Sequence, residues 1–147
     1  MEIERKFTVK ELPDLSQYDY HVMEQGYLNT NPVVRVRKED EEYYLTYKGK
    51  GLLVREEYNL PLNKEAYYHL VEKCDGIIIR KKRYLIPFEK YLIELDVFDT
   101  PYENLRIAEV EFDSEEEAKL FQPPKWFAED VTMNPQYHNS YLSQRKL

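Results

Sequence analysis

The sequence predicts a mainly β protein in which eight antiparallel strands close into a barrel, with a few helices at its periphery. Charged and apolar residues alternate along much of the chain, as half-buried strands require. Short turn signals separate the alternating stretches, and only a few stretches have helical spacing. The 147 residues suit one domain over residues 1–147, and eight antiparallel strands in one small domain favour closure of the sheet.

Five strands are predicted in the first part of the chain. A loop containing Pro13 follows the first strand, Asn31-Pro32 and Lys50-Gly51 form turns, and the acidic run 39–42 suits a solvated hairpin tip. The predicted strands are Met1–Val9, Tyr20–Asn29, Val33–Lys38, Tyr43–Lys48 and Leu53–Leu60.

A helix is predicted after Asn63, because apolar residues recur at helical spacing at Ala66, Leu70 and Cys74. Gly76 is expected to stop this helix. Three further strands are predicted beyond it, at Ile77–Phe88, Tyr91–Phe98 and Leu105–Phe112.

The C-terminal part is predicted to be helical in two short pieces. Asp113-Ser114 precedes an acidic first turn, where the helix dipole favours negative charge, and Pro123-Pro124 ends that helix. Residues 134–142 have weak helical character.

Composition excludes several classes of function. A net charge of −7 argues against general nucleic-acid binding, which requires a basic face. The single Cys74 excludes an internal disulfide and a thiolate zinc cage. No apolar run approaches membrane-spanning length, so we expect a cytoplasmic protein with neither membrane nor nucleic-acid partners. Neither GxGxxG nor GxxxxGK[ST] is present, so any phosphate would be bound by side chains.

One face of nearly every predicted strand collects charge, and the signs separate by strand. For any single strand, a solvated outer face is the simplest interpretation. A lumen of mutually satisfied salt bridges is a second interpretation, although buried ion pairs are poor stabilisers. Two like charges ~7 Å apart repel by roughly 2 kcal/mol at an effective dielectric constant near 20. Like charges gathered in one lumen therefore favour a third interpretation, in which a bound ligand compensates the charges. Carboxylates without His or Cys prefer Mg²⁺ or Mn²⁺, and Arg with Lys suits phosphate oxygens.

These charged positions resemble the signature motifs of the CYTH superfamily, the triphosphate tunnel metalloenzymes. The match covers essentially the whole chain, because the motifs occur in order from the N-terminus to the tail. They are Glu2-x-Glu4-x-Lys6, QGYL at 25–28, Arg35-x-Arg37, YLTYKG at 44–49, Arg55 with Glu57, Lys81-x-Arg83, Glu94-x-Asp96, Glu109-x-Glu111, Asp130-Val131-Thr132 and His138-Asn139-Ser140.

The resemblance implies a tunnel in which basic residues hold a triphosphate and acidic residues hold one or two divalent cations, Mg²⁺ or Mn²⁺. The implied metal-facing carboxylates are Glu2, Glu4, Glu109 and Glu111, with Glu94 and Asp96 beside them. The implied phosphate-binding residues are Lys6, Arg35, Arg37, Lys48, Arg55, Lys81 and Arg83. Glu4, Lys6 and Glu111 are the expected catalytic residues, with Glu111 or a second metal activating water. We favour Lys81 and Arg83 as the inward pair over Arg80 and Lys82.

The implied reaction is metal-dependent hydrolysis of the terminal phosphate of a linear triphosphate. We expect inorganic tripolyphosphate as the substrate, with nucleoside triphosphates as further candidates. Three alternatives stay open at this point: an adenylate cyclase of the class IV type, a thiamine triphosphatase, and a non-catalytic polyphosphate-binding module. The expected partner is the small-molecule triphosphate, and the protein is expected to be a monomer or a homodimer.

Overall fold

The computed structural model describes residues 1–144 and shows a mostly antiparallel β protein whose sheet curls into a nearly closed barrel. In this part of the chain the strands are β1 (Glu2–Val9), β2 (Tyr20–Thr30), β3 (Val33–Glu39), β4 (Glu42–Lys48), β5 (Val54–Arg55), β6 (Glu57–Leu62), β7 (Asp75–Phe88), β8 (Tyr91–Phe98), β9 (Arg106–Glu111) and β10 (Phe127–Asp130). The helices are α1 (Lys64–Val71), α2 (Glu115–Leu120) and α3 (Asn139–Gln144), with short 3₁₀ turns at Leu15–Gln17 and Pro135–Tyr137. The prediction of a barrel with few helices is confirmed.

The sheet runs through nine strands in the order β10-β1-β9-β8-β7-β2-β3-β4-β6. Strand β5 lies off this path and closes the ring, because Arg55 pairs with Glu2 and Val54 pairs with Ile3. One edge of β1 is therefore shared by β5 at its start and β10 at its end, while β9 covers the other edge. The closing seam has only two residue pairs, whereas β4 and β6 pair over six.

Two predicted boundaries are wrong, and both are explained by contacts between segments that are distant in the sequence. The predicted strand Leu53–Leu60 is split, because Arg55 pairs with β1 whereas Glu57 pairs with Lys48 of β4. Gly76 does not stop the first helix, which ends at Val71; it lies inside β7. Its φ of 71° lies in the left-handed region, and a Cβ there would come within 2.0 Å of the Ser143 carbonyl oxygen. Glycine at this position lets α3 lie directly against β7.

Most of the apolar core lies outside the barrel rather than inside it. Phe7, Leu95 and Val110 project outward and pack beneath the segment that contains α2 and β10. A second outer cluster, around Val36 and Tyr67, lies beneath α1. Because successive strand residues face opposite sides, the same strands present their other face to the lumen.

The lumen is polar along most of its length and apolar at one end. Ile79 and Ile107, which share a face with Lys81 and Glu109, cluster with Leu142 of α3 and close that end. None of the helices within residues 1–144 is long and apolar enough to cross a membrane.

Candidate functional site

The lumen contains a cavity of about 240 Å³ into which charged side chains from eight strands converge. Twelve of the thirteen predicted site residues line this cavity: Glu2, Glu4, Lys6, Arg35, Arg37, Lys48, Arg55, Lys81, Arg83, Glu94, Glu109 and Glu111. The register is the favoured one, since Lys81 and Arg83 are buried whereas Arg80 and Lys82 are exposed. The thirteenth residue, Asp96, is fully buried behind this lining.

Three carboxylates on β1, β8 and β9 meet on one wall of the cavity. One carboxylate oxygen from each of Glu4, Glu94 and Glu109 lies within 4.8 Å of the others. They converge because Glu94 and Glu109 are direct cross-strand partners and because β1 lies next to β9. All three offer hard oxygen donors without nitrogen or sulfur, so this donor set fits Mg²⁺ or Mn²⁺.

Cations already contact this acidic wall. The Lys6 ammonium lies 2.6 Å from Glu109 and 3.2 Å from Glu4. Burial opposes ionisation of Glu109, but Lys6 and Arg83 hold the pKa of its carboxyl well below the ordinary value. Burial raises the pKa of Glu94, with Arg83 acting in the opposite direction. The wall therefore combines an ionised Glu109 with Glu94, whose carboxyl is more easily protonated.

Asp96 serves as the counter-ion of two buried cations. Its two oxygens accept from Arg83 at 2.7 Å (Nε) and 2.9 Å (Nη2), and one also accepts from Lys81 at 2.7 Å. The direct pairing of Arg83 with Asp96 across β7 and β8 produces this fork. The structure thus brings Asp96 to the basic side chains and leaves it outside the Glu4, Glu94 and Glu109 cluster, to which Arg83 links it through Glu109.

The other two carboxylates predicted as metal-facing lie at the margins of the cluster. Glu2 accepts from Lys48 at 3.0 Å, and burial together with Glu4 raises the pKa of its carboxyl to about 8. Glu111 is exposed and lies directly across from Glu4 on the paired strand. Partial burial and the charge of Glu4 raise the pKa of Glu111.

Three arginines facing the cavity form no salt bridge with any carboxylate in residues 1–144: Arg35, Arg37 and Arg55. Arg35 is 6% exposed, donates to the Thr46 hydroxyl at 3.2 Å and has no partner for its Nε. Arg37 donates from Nε to Gln25 at 2.8 Å. Burial and the neighbouring charges of Arg35 and Arg83 lower the pKa of Arg37 to about 9. An arrangement of buried and half-buried arginines without carboxylate counter-ions fits a polyanion.

The comparisons with known proteins agree with this geometry. The family profile of the CYTH domain matches residues 1–143. The chain belongs to the CYTH family. An inorganic triphosphatase of Nitrosomonas europaea is 38% identical over 147 residues, covering 97% of this chain and 96% of the relative. One of Acetivibrio thermocellus is 36% identical over 146 residues, covering 96% and 92%. A crystal structure of an inorganic triphosphatase is similar with a TM-score of 0.75 and 35% identity, covering 99% of this chain and 96% of that chain.

The C-terminal segment of this CYTH chain contributes residues to which the sequence assigned no role. His138, Asn139 and Ser140 line the cavity beside Lys81. Asn139, the first residue of α3, accepts a hydrogen bond from the Lys81 ammonium at 3.0 Å. Burial and the charge of Lys6 lower the pKa of His138 to about 4, so its ring is neutral near pH 7. The motif around residues 138–140 was visible in the sequence, but only the position of α3 at the closed end shows what it contacts.

Gln25 and Thr46 are also missing from the predicted site. Both are 0% exposed and contact the arginines that lack carboxylate partners. A search for charged residues passes over neutral side chains. Both residues belong to the motifs QGYL and YLTYKG, so the sequence marked their positions without showing which arginine each one contacts.

Proposed function

We propose that this CYTH protein is an inorganic triphosphatase that hydrolyses tripolyphosphate to pyrophosphate and orthophosphate. The observation that supports this most directly is Arg35, a buried guanidinium with an unpartnered Nε beside a second uncompensated arginine. Unpaired buried polar groups are costly, so a ligand that supplies several acceptor oxygens is expected to fill this place. The names of the two relatives at 36–38% identity point to the same substrate.

Arg35, Arg37 and Arg55 are proposed to hold the phosphate chain. A guanidinium has five donors in a planar fork, which suits two oxygens of one phosphate. Arg35 and Arg37 lie two residues apart on the same face of β3, so they follow the chain axis with a spacing of roughly 7 Å. Binding a polyanion there removes the repulsion between the arginines. The same contacts hold the developing negative charge on the leaving pyrophosphate.

Glu4, Glu94 and Glu109 are proposed to hold a divalent cation, Mg²⁺ or Mn²⁺, opposite the arginines. Their oxygens lie close enough to share one ion, and the absence of nitrogen and sulfur donors in this cluster favours a hard cation. When bound, such an ion neutralises phosphate oxygens and lowers the pKa of a coordinated water. Lys6, in contact with Glu109 and Glu4, is proposed to keep Glu109 ionised and to orient both carboxylates.

Glu111 is proposed to accept the proton of the attacking water. It stands across from Glu4 at the margin of the cluster, and within residues 1–144 it forms no salt bridge. Its carboxylate is therefore available to orient a water at the terminal phosphate. Phosphoryl transfer needs positioning and charge neutralisation more than covalent chemistry, so no nucleophilic side chain is required.

The experiment is phosphate release from tripolyphosphate by the purified protein with Mg²⁺, with Mn²⁺ and with EDTA. We expect turnover with either cation, no turnover with EDTA, and at least a ~100-fold lower kcat in Glu4→Gln, because one ligand of the cation is lost. Glu116→Gln is the matched control, since Glu116 is exposed on α2 outside the cavity. Turnover that persists in EDTA or in Glu4→Gln would contradict the proposal. Formation of cyclic AMP from ATP, or tight binding of tripolyphosphate without turnover, would indicate a cyclase or a binding module instead.

A further inference from the structure

Arg37 is held by a neutral amide at a place where a carboxylate would fit. We propose that Gln25 is a positioning residue that aims Arg37 at the triphosphate and, because it is uncharged, leaves the arginine's positive charge available to the substrate. This inference rests on the proposed function in one respect, namely that Arg37 binds phosphate. It adds a residue whose contribution is exerted through another side chain.

The hydrogen bonds of Gln25 fix its orientation. Its Oε1 accepts from the Arg37 Nε at 2.8 Å, and its Nε2 donates to the Tyr27 hydroxyl at 3.0 Å. A guanidinium can only donate, so the amide oxygen must face Arg37 and the amide nitrogen must face Tyr27. Gln25 is 0% exposed and Tyr27 is 2% exposed, so water does not compete for these bonds. The pair is built into the sheet, because Gln25 and Arg37 are direct cross-strand partners of β2 and β3.

Gln25 satisfies only one of the donor nitrogens of the Arg37 guanidinium. Gln25 takes the Nε–H, and the two terminal nitrogens keep their four hydrogens for the cavity that Arg37 lines. Arg83 on β7 shows the alternative, since Asp96 accepts from both its Nε and one terminal nitrogen and neutralises its charge. Gln25 anchors the same Nε position without the countercharge.

Thr46 repeats the arrangement for the neighbouring arginine. Its hydroxyl oxygen accepts from Arg35 at 3.2 Å while its hydrogen is donated to Asn59 at 2.6 Å. Thr46 is also 0% exposed and is the direct cross-strand partner of Arg35. Two adjacent arginines are thus each held by a buried neutral side chain from the next strand. This recurrence argues that neutrality is a property of the phosphate-binding wall rather than of one residue.

The test is the isosteric substitution Gln25→Glu, assayed by calorimetric titration of tripolyphosphate in EDTA and by steady-state kinetics with Mg²⁺. A carboxylate beside the guanidinium neutralises Arg37, so we expect the Kd for tripolyphosphate to rise ~10-fold or more, the scale of one charge-assisted hydrogen bond. KM is expected to rise with it, and kcat is expected to change less. Gln25→Met, which removes both hydrogen bonds without adding charge, is expected to raise Kd by only ~3-fold. Gln122→Glu, at an exposed position outside the cavity, is the charge-matched control and should bind as the unaltered protein does.

A double-variant cycle separates positioning from simple packing. In an Arg37→Gln background, Gln25→Met should cost little further affinity, because the guanidinium that Gln25 orients is already gone and no charge has been added. An unchanged Kd in Gln25→Glu, or a full additional loss from Gln25→Met in the Arg37→Gln background, would overturn the proposal. If Gln25→Glu does not fold, the ratio of Kd values for Gln25→Met in the two backgrounds decides alone. Since the readout is binding in EDTA, absence of turnover by the unaltered protein would refute the proposed hydrolysis and leave this inference standing.

Discussion

The two walls of the lumen use the same residue types in opposite ways. On the wall formed by β1, β7, β8 and β9, Lys6, Lys81 and Arg83 each contact at least one carboxylate within 3.2 Å. On the wall formed by β2 and β3, Arg35 and Arg37 contact the hydroxyl of Thr46 and the amide of Gln25, whereas Lys48 on the neighbouring β4 is bound by a carboxylate, that of Glu2. Basic side chains lie on both walls, and Lys81 on the first is as buried as Arg35 on the second, so neither burial nor the presence of cations separates the walls.

What separates the walls is the charge of the partner. A cation bound by a carboxylate is already neutralised, and removing the carboxylate leaves an uncompensated buried charge. A cation bound by a neutral group keeps its charge, and it is compensated only when an anion arrives. The first arrangement is expected to support the fold, and the second is expected to support ligand binding. Substitution on the first wall should therefore lower stability, and substitution of an arginine held by a neutral group should lower ligand binding or catalysis. The reverse results would contradict this comparison.

The largest effect is expected on stability in Asp96→Asn. This change leaves the buried Lys81 and Arg83 without their main counter-ion, so we expect the free energy of unfolding to fall by ~3–5 kcal/mol. Urea denaturation without ligand measures it. Asp99→Asn, an exposed position just beyond β8, is the control and should change the free energy of unfolding by less than ~0.5 kcal/mol. Equal losses in the two variants would show that Asp96 is not a structural counter-ion.

The next effect is expected on catalysis in Arg35→Gln, with stability preserved. Loss of this donor is expected to lower kcat/KM for tripolyphosphate by ~100-fold, the usual cost of one donor to developing charge. The free energy of unfolding should stay the same or rise, because a buried guanidinium with an unpartnered Nε and a like-charged neighbour is removed. Thermal unfolding in parallel with kinetics measures both. A stability loss comparable to that of Asp96→Asn would place Arg35 with the fold-supporting cations.

The smallest effect is expected outside the lumen, in Arg80→Ala. Arg80 precedes Lys81 in the chain but points outward, where it pairs with Glu24 at 3.0 Å and its side chain is 55% exposed. An exposed ion pair contributes at most ~1 kcal/mol, so the free energy of unfolding should change by less than that and kcat/KM should be unchanged. A fall in kcat/KM similar to that of Arg35→Gln would contradict the inward assignment of Lys81 and Arg83.

The face of each strand was predictable, because side chains alternate with a period of two and the charged set occupies one parity. Which carboxylates join the acidic cluster and which pair with buried cations was not predictable. Asp96 and Glu94 share a face of β8, and only the cross-strand register places one beside Arg83 and the other beside Glu109. Register depends on pairing between distant segments, which periodicity within one segment does not contain.

Two strands were also beyond prediction from pattern alone. β10 has four residues, too few for an alternation to be recognised, and the two residues of β5 were predicted only as part of the longer strand Leu53–Leu60. Both owe their existence to β1, whose free edge they share. The closure of the barrel was therefore predictable as a consequence of strand number, while the strand that closes it was visible only in the folded chain.

Apolar and charged side chains alternate along the same strands, and this restricts where residues can be inserted or deleted. Removing one residue from within β1 or β3 would exchange the two faces beyond that point, turning arginines outward and placing apolar side chains among the remaining charges. Such a deletion would damage the outer core and the lumen together. The two-residue hairpin tips, where Asp40 and Glu89 adopt positive φ values of 52° and 55°, belong neither to the apolar outer core nor to the charged lumen. Insertions and deletions among homologues should accordingly concentrate at these tips and in the loops, leaving strand lengths constant.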